Sequence, residues 1–288
     1  MTRLAPAVFL YGAGRVARAV AALAAERGVP VAGAWSRSGT GAGGGMPGVE
    51  LASGPDPPAG AADVWLLAVA DDGVEDVAAR LAVAAGTAGA PRPLVAAHCA
   101  GGLSAAALAP LAGLGIPCGG WHPAMTFRGG PDDARGLAEA WVAVEGEGPG
   151  AAELEALAGA LGLPTVRVAA DRKSRYHAAL VLASNGRVAL DAAARRLLEE
   201  AGIDAGTAGE LLAPLVSRTD ANLRDGPARA LTGPVARGDA HTVRAQVAAL
   251  ADRPVLLALY RAVGAALLDL VPPDARTEGH AEVARLIR

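Results

Sequence analysis

The segment KSRYHAALVLASN, residues 173–185, has no proline or glycine and reads as helix, yet it carries Lys173, Tyr176, His177, Ser184 and Asn185. At about 100° per residue, Lys173, His177 and Ser184 fall within roughly 40° of one another. An ammonium, an imidazole and a hydroxyl therefore share one stripe. Lys173 and His177, one turn apart, can deliver a proton to a substrate, while Ser184 or Asn185 holds it. The competing reading is a helix whose polar stripe simply meets another part of the protein. Two further stretches carry reactive types. In GWHPAMTF, His122 precedes Pro123, which biases the backbone to an extended form and holds the imidazole stiffly in a loop. A loop histidine with a structural hydrogen bond competes with a site role there. In ALTGPVARGDAHTV, Arg237 either grips a carboxylate through two parallel bonds or pairs with Asp239. Asp239 reads as the N-cap of a helix that begins near Ala240.

Groups of this kind need a reactant held beside them, and the N-terminal residues supply a candidate holder. FLYGAGRVARAV places Gly12, Gly14 and Ala17 in the G-x-G-x-x-A pattern, after a strand and at the start of a helix. Gly12 permits the tight turn, Gly14 lets the backbone approach a pyrophosphate, and Ala17 lets the helix pack closely. The helix start at Arg15 and Val16 attracts the phosphates. An NAD site usually places a carboxylate about 20 residues on, whereas this chain has Ser36, Arg37 and Ser38. A guanidinium and two hydroxyls suit a 2′-phosphate, so NADP(H) is expected over NAD(H); a solvated loop cation is the bland alternative for Arg37. Val69, Ala70 and Asp71 end a later strand at the same expected edge. Asp71 and Asp72 read mainly as capping residues for the next helix. His98 ends another strand, with Ser104 as a helix N-cap, and all these strand ends should line one crevice.

The elements that must position these groups follow an alternation. Strand candidates at 7–11, 29–35, 63–69, 93–99, 141–146 and 165–170 are separated by helical stretches at 15–27, 73–85, 104–113 and 150–162. That order implies βαβ units and a doubly wound, mostly parallel sheet. Residues 38–60 are rich in Gly and Pro and read as a crossover loop or a shortened helix. After residue 170 only helices are expected, near 172–201, 204–224, 239–251 and 254–270. The expected division is therefore an α/β nucleotide-binding domain, 1–170, and an all-helical domain, 171–288. In this arrangement the polar stripe of 173–185 faces the cleft while Ala179, Leu182 and Ala183 pack behind it.

The 288 residues are 52% hydrophobic and 19% charged, with a net charge of −3. No basic run suggests nucleic acid, and no long apolar run suggests a membrane span. The N-terminus has no secretory pattern, and Cys99 and Cys118 read as reduced thiols, so a cytoplasmic protein is expected. His98, Cys99, Cys118 and His122 are metal-ligand types, but no tight spacing supports a zinc site, and no metal is expected.

The stretches YGAGRVARAV, HCAGGLSAAAL, GWHPAMTF, KSRYHAALVLASN and LLAPLVSRTDANLRDGPARALTGPVARGDAHTV resemble Rossmann-like proteins with the DUF2520 domain, over nearly the whole chain. That family is similar to pyrroline-5-carboxylate reductases and the 6-phosphogluconate-dehydrogenase-like group. The resemblance implies an NADP-binding domain followed by a helical domain that dimerises and closes the active site. Some similar proteins are assigned as ketopantoate reductases. Thr232, with Gly233 and Pro234, resembles the turn that lies over the active site of pyrroline-5-carboxylate reductases, and joins Arg237 as a substrate-binding candidate. Related β-hydroxyacid dehydrogenases carry Lys and, four residues later, Asn; here His177 takes the second place. Cys99 stands where the family usually has Ser, and Ala70 where Pro is common. The implied activity is NADPH-dependent reduction of a C=O or C=N bond in a small metabolite. A non-catalytic, redox-sensing or regulatory NADP-binding protein is the alternative.

Overall fold

Buried apolar runs become the strands of one sheet in this computed structural model, which describes residues 5–39 and 46–288. In chain order, the first part consists of β1 (Val8–Tyr11), α1 (Arg15–Arg27), β2 (Val31–Ser36), β3 (Leu51–Ser53), β4 (Val64–Leu67) and α2 (Val74–Gly86). There follow β5 (Val95–His98), α3 (Ala109–Ala112), β6 (Cys118–Pro123), α4 (Asp132–Ala138), β7 (Val142–Glu145), α5 (Gly148–Ala160), β8 (Thr165–Arg167) and α6 (Lys173–Ala183). The strand order is β3-β2-β1-β4-β5-β6-β7-β8. Neighbours run parallel except β6 and β7. This is a Rossmann-like, doubly wound α/β fold whose order reverses beside β1, the place where such sheets bind ligands.

Side-chain alternation along each strand feeds two cores. Val95, Ala97, Trp121, Val142 and Val144 face α1, α4 and α5. Ala96, Leu67, Trp65 and Tyr11 face α2 and α3. On the second face the Tyr11 hydroxyl donates to the Pro58 carbonyl and accepts from the Gly60 N–H, and Trp65 Nε1 donates to the Gly60 carbonyl. These three bonds fasten the Pro-rich loop, so it needs no helix of its own.

The chain divides into two compact units, residues 1–186 and 187–288. The expected break at 170 is therefore not where the units part: α6 belongs with the sheet. The second unit holds most of α7 (Asn185–Glu200), then α8 (Ala205–Leu223), two short helices α9 (Pro227–Ala230) and α10 (Pro234–Arg237), α11 (Ala240–Ala249), α12 (Pro254–Asp269) and α13 (Glu278–Leu286). Asp204 and Asp239 cap α8 and α11 through their carboxylates, the latter as expected. Val235, Val243, Leu268, Val271, Val283 and Ile287 form this unit's core.

Several expectations change. The helix expected over 172–201 is two helices that part at Ser184, whose hydroxyl donates back to the Leu180 carbonyl beside its own backbone N–H, a pattern that bends helices. β3 and β6 are strands where loops were expected, so His122 sits on a strand rather than in a loop. The helices α4 and α13 were not anticipated. Residues 40–45 of the segment expected as a crossover lie outside the described residues. Among the described residues no helix is long and apolar enough to cross a membrane.

Candidate active site

The turn after β1 is built by sterics. Gly12 has φ +123°, and a Cβ there would lie 2.4 Å from the Ala68 carbonyl oxygen at the end of β4. Only glycine lets these two strand ends close up. Gly14 is the N-cap of α1 and makes no side-chain capping bond, while the helix ladder begins with the Arg18 N–H on the Gly14 carbonyl. The N–H groups of Arg15, Val16 and Ala17 therefore lack intrahelical acceptors and are available to an anion. A cavity of about 470 Å³ lies over this turn, walled by Gly12–Gly14, Trp35–Ser38 and Ala68–Ala70. Two residues of its wall each carry a buried side-chain atom without a hydrogen-bond partner, Trp35 Nε1 and Ser36 Oγ. A dinucleotide fits this cradle: it has free backbone donors for the phosphates and glycines where a side chain would intrude.

Individual candidates sort as follows. Ser36, Arg37, Ser38, Val69 and Ala70 line the cavity. The Arg37 guanidinium donates to Asp76 Oδ2 at 3.1 Å in a solvent-exposed pair, so it is held only weakly. The Arg15 side chain turns elsewhere, to the Phe127 carbonyl, which leaves only its backbone to the cavity. Asp72 rather than Asp71 reaches the cavity wall. Neither aspartate caps α2, whose N-cap is Gly73, and Ser104 makes no side-chain capping bond. His98 does not line the cavity; it is fully buried, and its Nε2 is 3.1 Å from the Ser104 carbonyl oxygen.

One strand along, alternation collects a second set of groups. His98 on β5, Gly120 and His122 on β6, and Glu145 on β7 point to the same face, because His98 pairs with Gly120 and Gly120 with Glu145. Helix α6 covers this face. Lys173, Tyr176 and His177 occupy positions i, i+3 and i+4, hence one side of it. Lys173 is 1% exposed and is the one buried residue of α6. Its Nζ lies 3.7 Å from Glu145 Oε2 and 3.4 Å from the Ala100 carbonyl oxygen. Glu145 Oε1 accepts from the Ala105 N–H at 2.7 Å. Gly120 makes room, since a Cβ there would sit 3.0 Å from the Lys173 ammonium. His122 Nδ1 is 2.9 Å from the Tyr176 hydroxyl, and the rings of His122 and His177 meet edge to face at 6.0 Å. The Gly101–Gly102 turn admits both imidazoles: a Cβ on Gly101 would lie 2.6 Å from His177 and 2.8 Å from His122.

Burial, then the charges of Lys173, His177 and His98, push His122 down to about 4, so its ring is neutral near pH 7. Burial pushes Tyr176 up to about 12 and the Cys99 thiol up as well. The Lys173 ammonium is lowered by burial, with Glu145 acting against that.

The structure thus brings together Lys173, His177 and His122, and adds Glu145, Tyr176 and the Gly101–Gly102 turn. Ser184 and Asn185 stand apart from them: Ser184 is roughly 16 Å along the helix from Lys173, and its hydroxyl is committed to Leu180 and Asn185. The residues expected to pack behind the stripe, Ala179, Leu182 and Ala183, are exposed instead. Thr232 and Arg237 belong to the second unit, where Arg237 ends α10 and the Asp239 carboxylate is committed to Thr242. Among the described residues, no three His, Cys, Asp or Glu side chains are grouped to hold a metal ion.

With this geometry the chain can be set beside known proteins. Residues 140–267 match the family model described as a domain of unknown function, DUF2520. The DUF2520 match spans β7 to α12, and so contains Glu145, Lys173, Tyr176 and His177 but not the Gly12–Gly14 turn. A protein of Bacteroides fragilis assigned as an NADP oxidoreductase is 20% identical with a TM-score of 0.70, over 92% of this chain and 98% of that one. A reductive aminase from Aspergillus terreus, solved with NADPH, is 17% identical with a TM-score of 0.61, over 92% of this chain and 98% of that one. The pyrroline carboxylate reductase of Plasmodium falciparum, solved with NADP, is 9% identical with a TM-score of 0.58, over 98% of this chain and all (100%) of that one. At these identities the chain shares their fold. No functionally curated protein is detectably similar in sequence.

Proposed function

We propose that this protein is an NADPH-dependent oxidoreductase that reduces a C=O or C=N bond of a small metabolite, in the cytoplasm. One observation carries the reading. The dinucleotide cradle at the sheet's reversal point lies one strand from a cluster of proton-bearing groups at the ends of β5 and β6. NADPH, when bound, supplies the hydride. The chain's own part is to hold the phosphates on the Gly12–Gly14 turn and the α1 N-terminus, and to keep His122, Tyr176 and His177 beside the reacting bond, with Lys173 held in the buried pair with Glu145. Structural neighbours named as an imine reductase and as a pyrroline carboxylate reductase with NADP bound support the same class.

The test is a binding and turnover series. NADPH should bind at least about tenfold more tightly than NADH, a gap of ~1.4 kcal/mol, and Arg37→Ala should close most of it. NADPH should be oxidised with some member of a panel of keto acids and cyclic imines. Equal affinity for the two cofactors in the unaltered protein removes the Arg37 argument. Tight NADPH binding with no turnover across the panel favours a regulatory role.

A homodimer formed through the second unit belongs to the same proposal. Val188, Leu190, Leu215 and Leu223 are exposed there, and a groove of about 690 Å³ opens between α7 and α8. Faces this apolar are usually covered in soluble proteins. Light scattering should return twice the chain mass of 28.5 kDa; a monomer at micromolar concentration rules the dimer out.

A further inference from the structure

We propose that Tyr176 is the catalytic acid of this site, protonating the oxygen of a carbonyl substrate, with His122 as the group that positions it. The proposal rests on the reductase reading and deepens it.

Three neighbours compete for the acid's role, and geometry separates them. The Lys173 ammonium is closed in by Glu145 and the Ala100 carbonyl and is 1% exposed, so no substrate atom reaches it. The His177 ring is pressed against the Gly101–Gly102 backbone. His122 is half-buried behind Tyr176, with Nδ1 at 2.9 Å from the phenol oxygen. Tyr176 is the outermost of the bonded pair, carried on α6 at the same end of the sheet as the nucleotide turn.

A neutral imidazole carries one N–H. With that hydrogen on Nδ1, His122 donates to the Tyr176 oxygen and leaves the phenol O–H free to point at a substrate. As hydride from the bound cofactor adds to the carbonyl carbon, the C=O π pair moves to oxygen. The Tyr176 O–H bond breaks and its proton joins that oxygen, giving an alcohol and NADP⁺. The phenolate left behind accepts the His122 Nδ1–H bond until solvent returns a proton. An alkoxide is a far stronger base than a phenolate, so this transfer runs downhill. A neutral imine would need the same proton on its nitrogen; only an iminium that already carries it would not. The surrounding charges fit: Lys173 is matched by Glu145, Asp71 is near enough to be felt by Lys173 and His98, and His98 and His122 have depressed basicity.

Tyr176→Phe keeps the ring and removes the oxygen. Turnover with glyoxylate, 2-oxoisovalerate or ketopantoate should fall about 100-fold or more, and NADPH affinity should stay within about twofold. The variant's carbonyl rate should rise as pH falls, because hydronium replaces the lost acid, whereas the unaltered protein should be flat from about pH 6 to 9. In the cofactor-free protein, ¹⁵N shifts of the His122 ring should report the Nδ1–H form and should change in Tyr176→Phe. An Nε2–H ring in the unaltered protein, an undiminished carbonyl rate in Tyr176→Phe, or NADPH binding without reduction of any of the three carbonyls overturns the proposal. Failure to bind NADPH overturns the reductase reading itself.

Discussion

Glu145→Ala should destabilise the first unit by roughly 3–5 kcal/mol, the usual result of stripping one partner from a buried ion pair. Lys173 and Glu145 are 1% and 5% exposed at their side chains, so the stranded ammonium has no water to fall back on. The Ala105 N–H loses its acceptor as well. Unfolding in urea followed by tryptophan fluorescence is the measurement, because all four tryptophans, at 35, 65, 121 and 141, lie in the first unit. The pH dependence gives a second readout. Glu145 is what holds Lys173 in its charged form against burial. Without it, the folded-state pKa of Lys173 drops further below the unfolded value of about 10.4. Between those two values the unfolded chain binds the extra proton, so stability rises with pH. The deficit should be largest near neutrality and below, and should shrink as pH approaches 10. The double variant Glu145→Leu/Lys173→Met should recover most of the loss, since it leaves no unpaired charge. A single variant that loses under about 1 kcal/mol would mean the pair is open to water.

Gly12→Ala should abolish cofactor binding and weaken the fold together. The added Cβ meets backbone, 2.4 Å from the Ala68 oxygen and 2.8 Å from its carbon, and φ +123° is strained for any L side chain. Neither neighbour is a flexible side-chain end, so β1 and β4 must part, at a cost of about 2–4 kcal/mol. Gly14→Ala separates the two roles. A Cβ there has 3.9 Å to the nearest atom, so stability should fall by less than ~1 kcal/mol, the N-cap preference alone. NADPH affinity should still drop about tenfold or more, because the methyl occupies the approach of the pyrophosphate. Equal NADPH binding by Gly14→Ala and the unaltered protein would remove the phosphate from this turn.

What was legible in the chain was local. The strand, the Gly12 turn and α1 lie within twenty residues of one another, and residue type there matches structural role. Apolar residues build the sheet, glycine permits the close approach, and alanine makes the helix contact. Strand β6 was hidden because CGGWHP carries two glycines and a proline, which argue against a strand. Gly120 is there because the Lys173–Glu145 pair fills the space a side chain would take. Glu145 was missed for a related reason: a carboxylate at the end of a strand looks the same whether it meets water or an ammonium.

By itself, then, the sequence determined a parallel α/β sheet, a nucleotide turn and a helix bearing Lys173 and His177, because helical and strand periodicities and a glycine turn are properties of neighbouring residues. The tertiary structure alone decided which groups share a site. Sheet order sets β5, β6 and β7 side by side, and alternation turns His98, His122 and Glu145 to one face. Residues up to 75 positions apart, from His98 to Lys173, meet there through pairings that no short window of sequence contains.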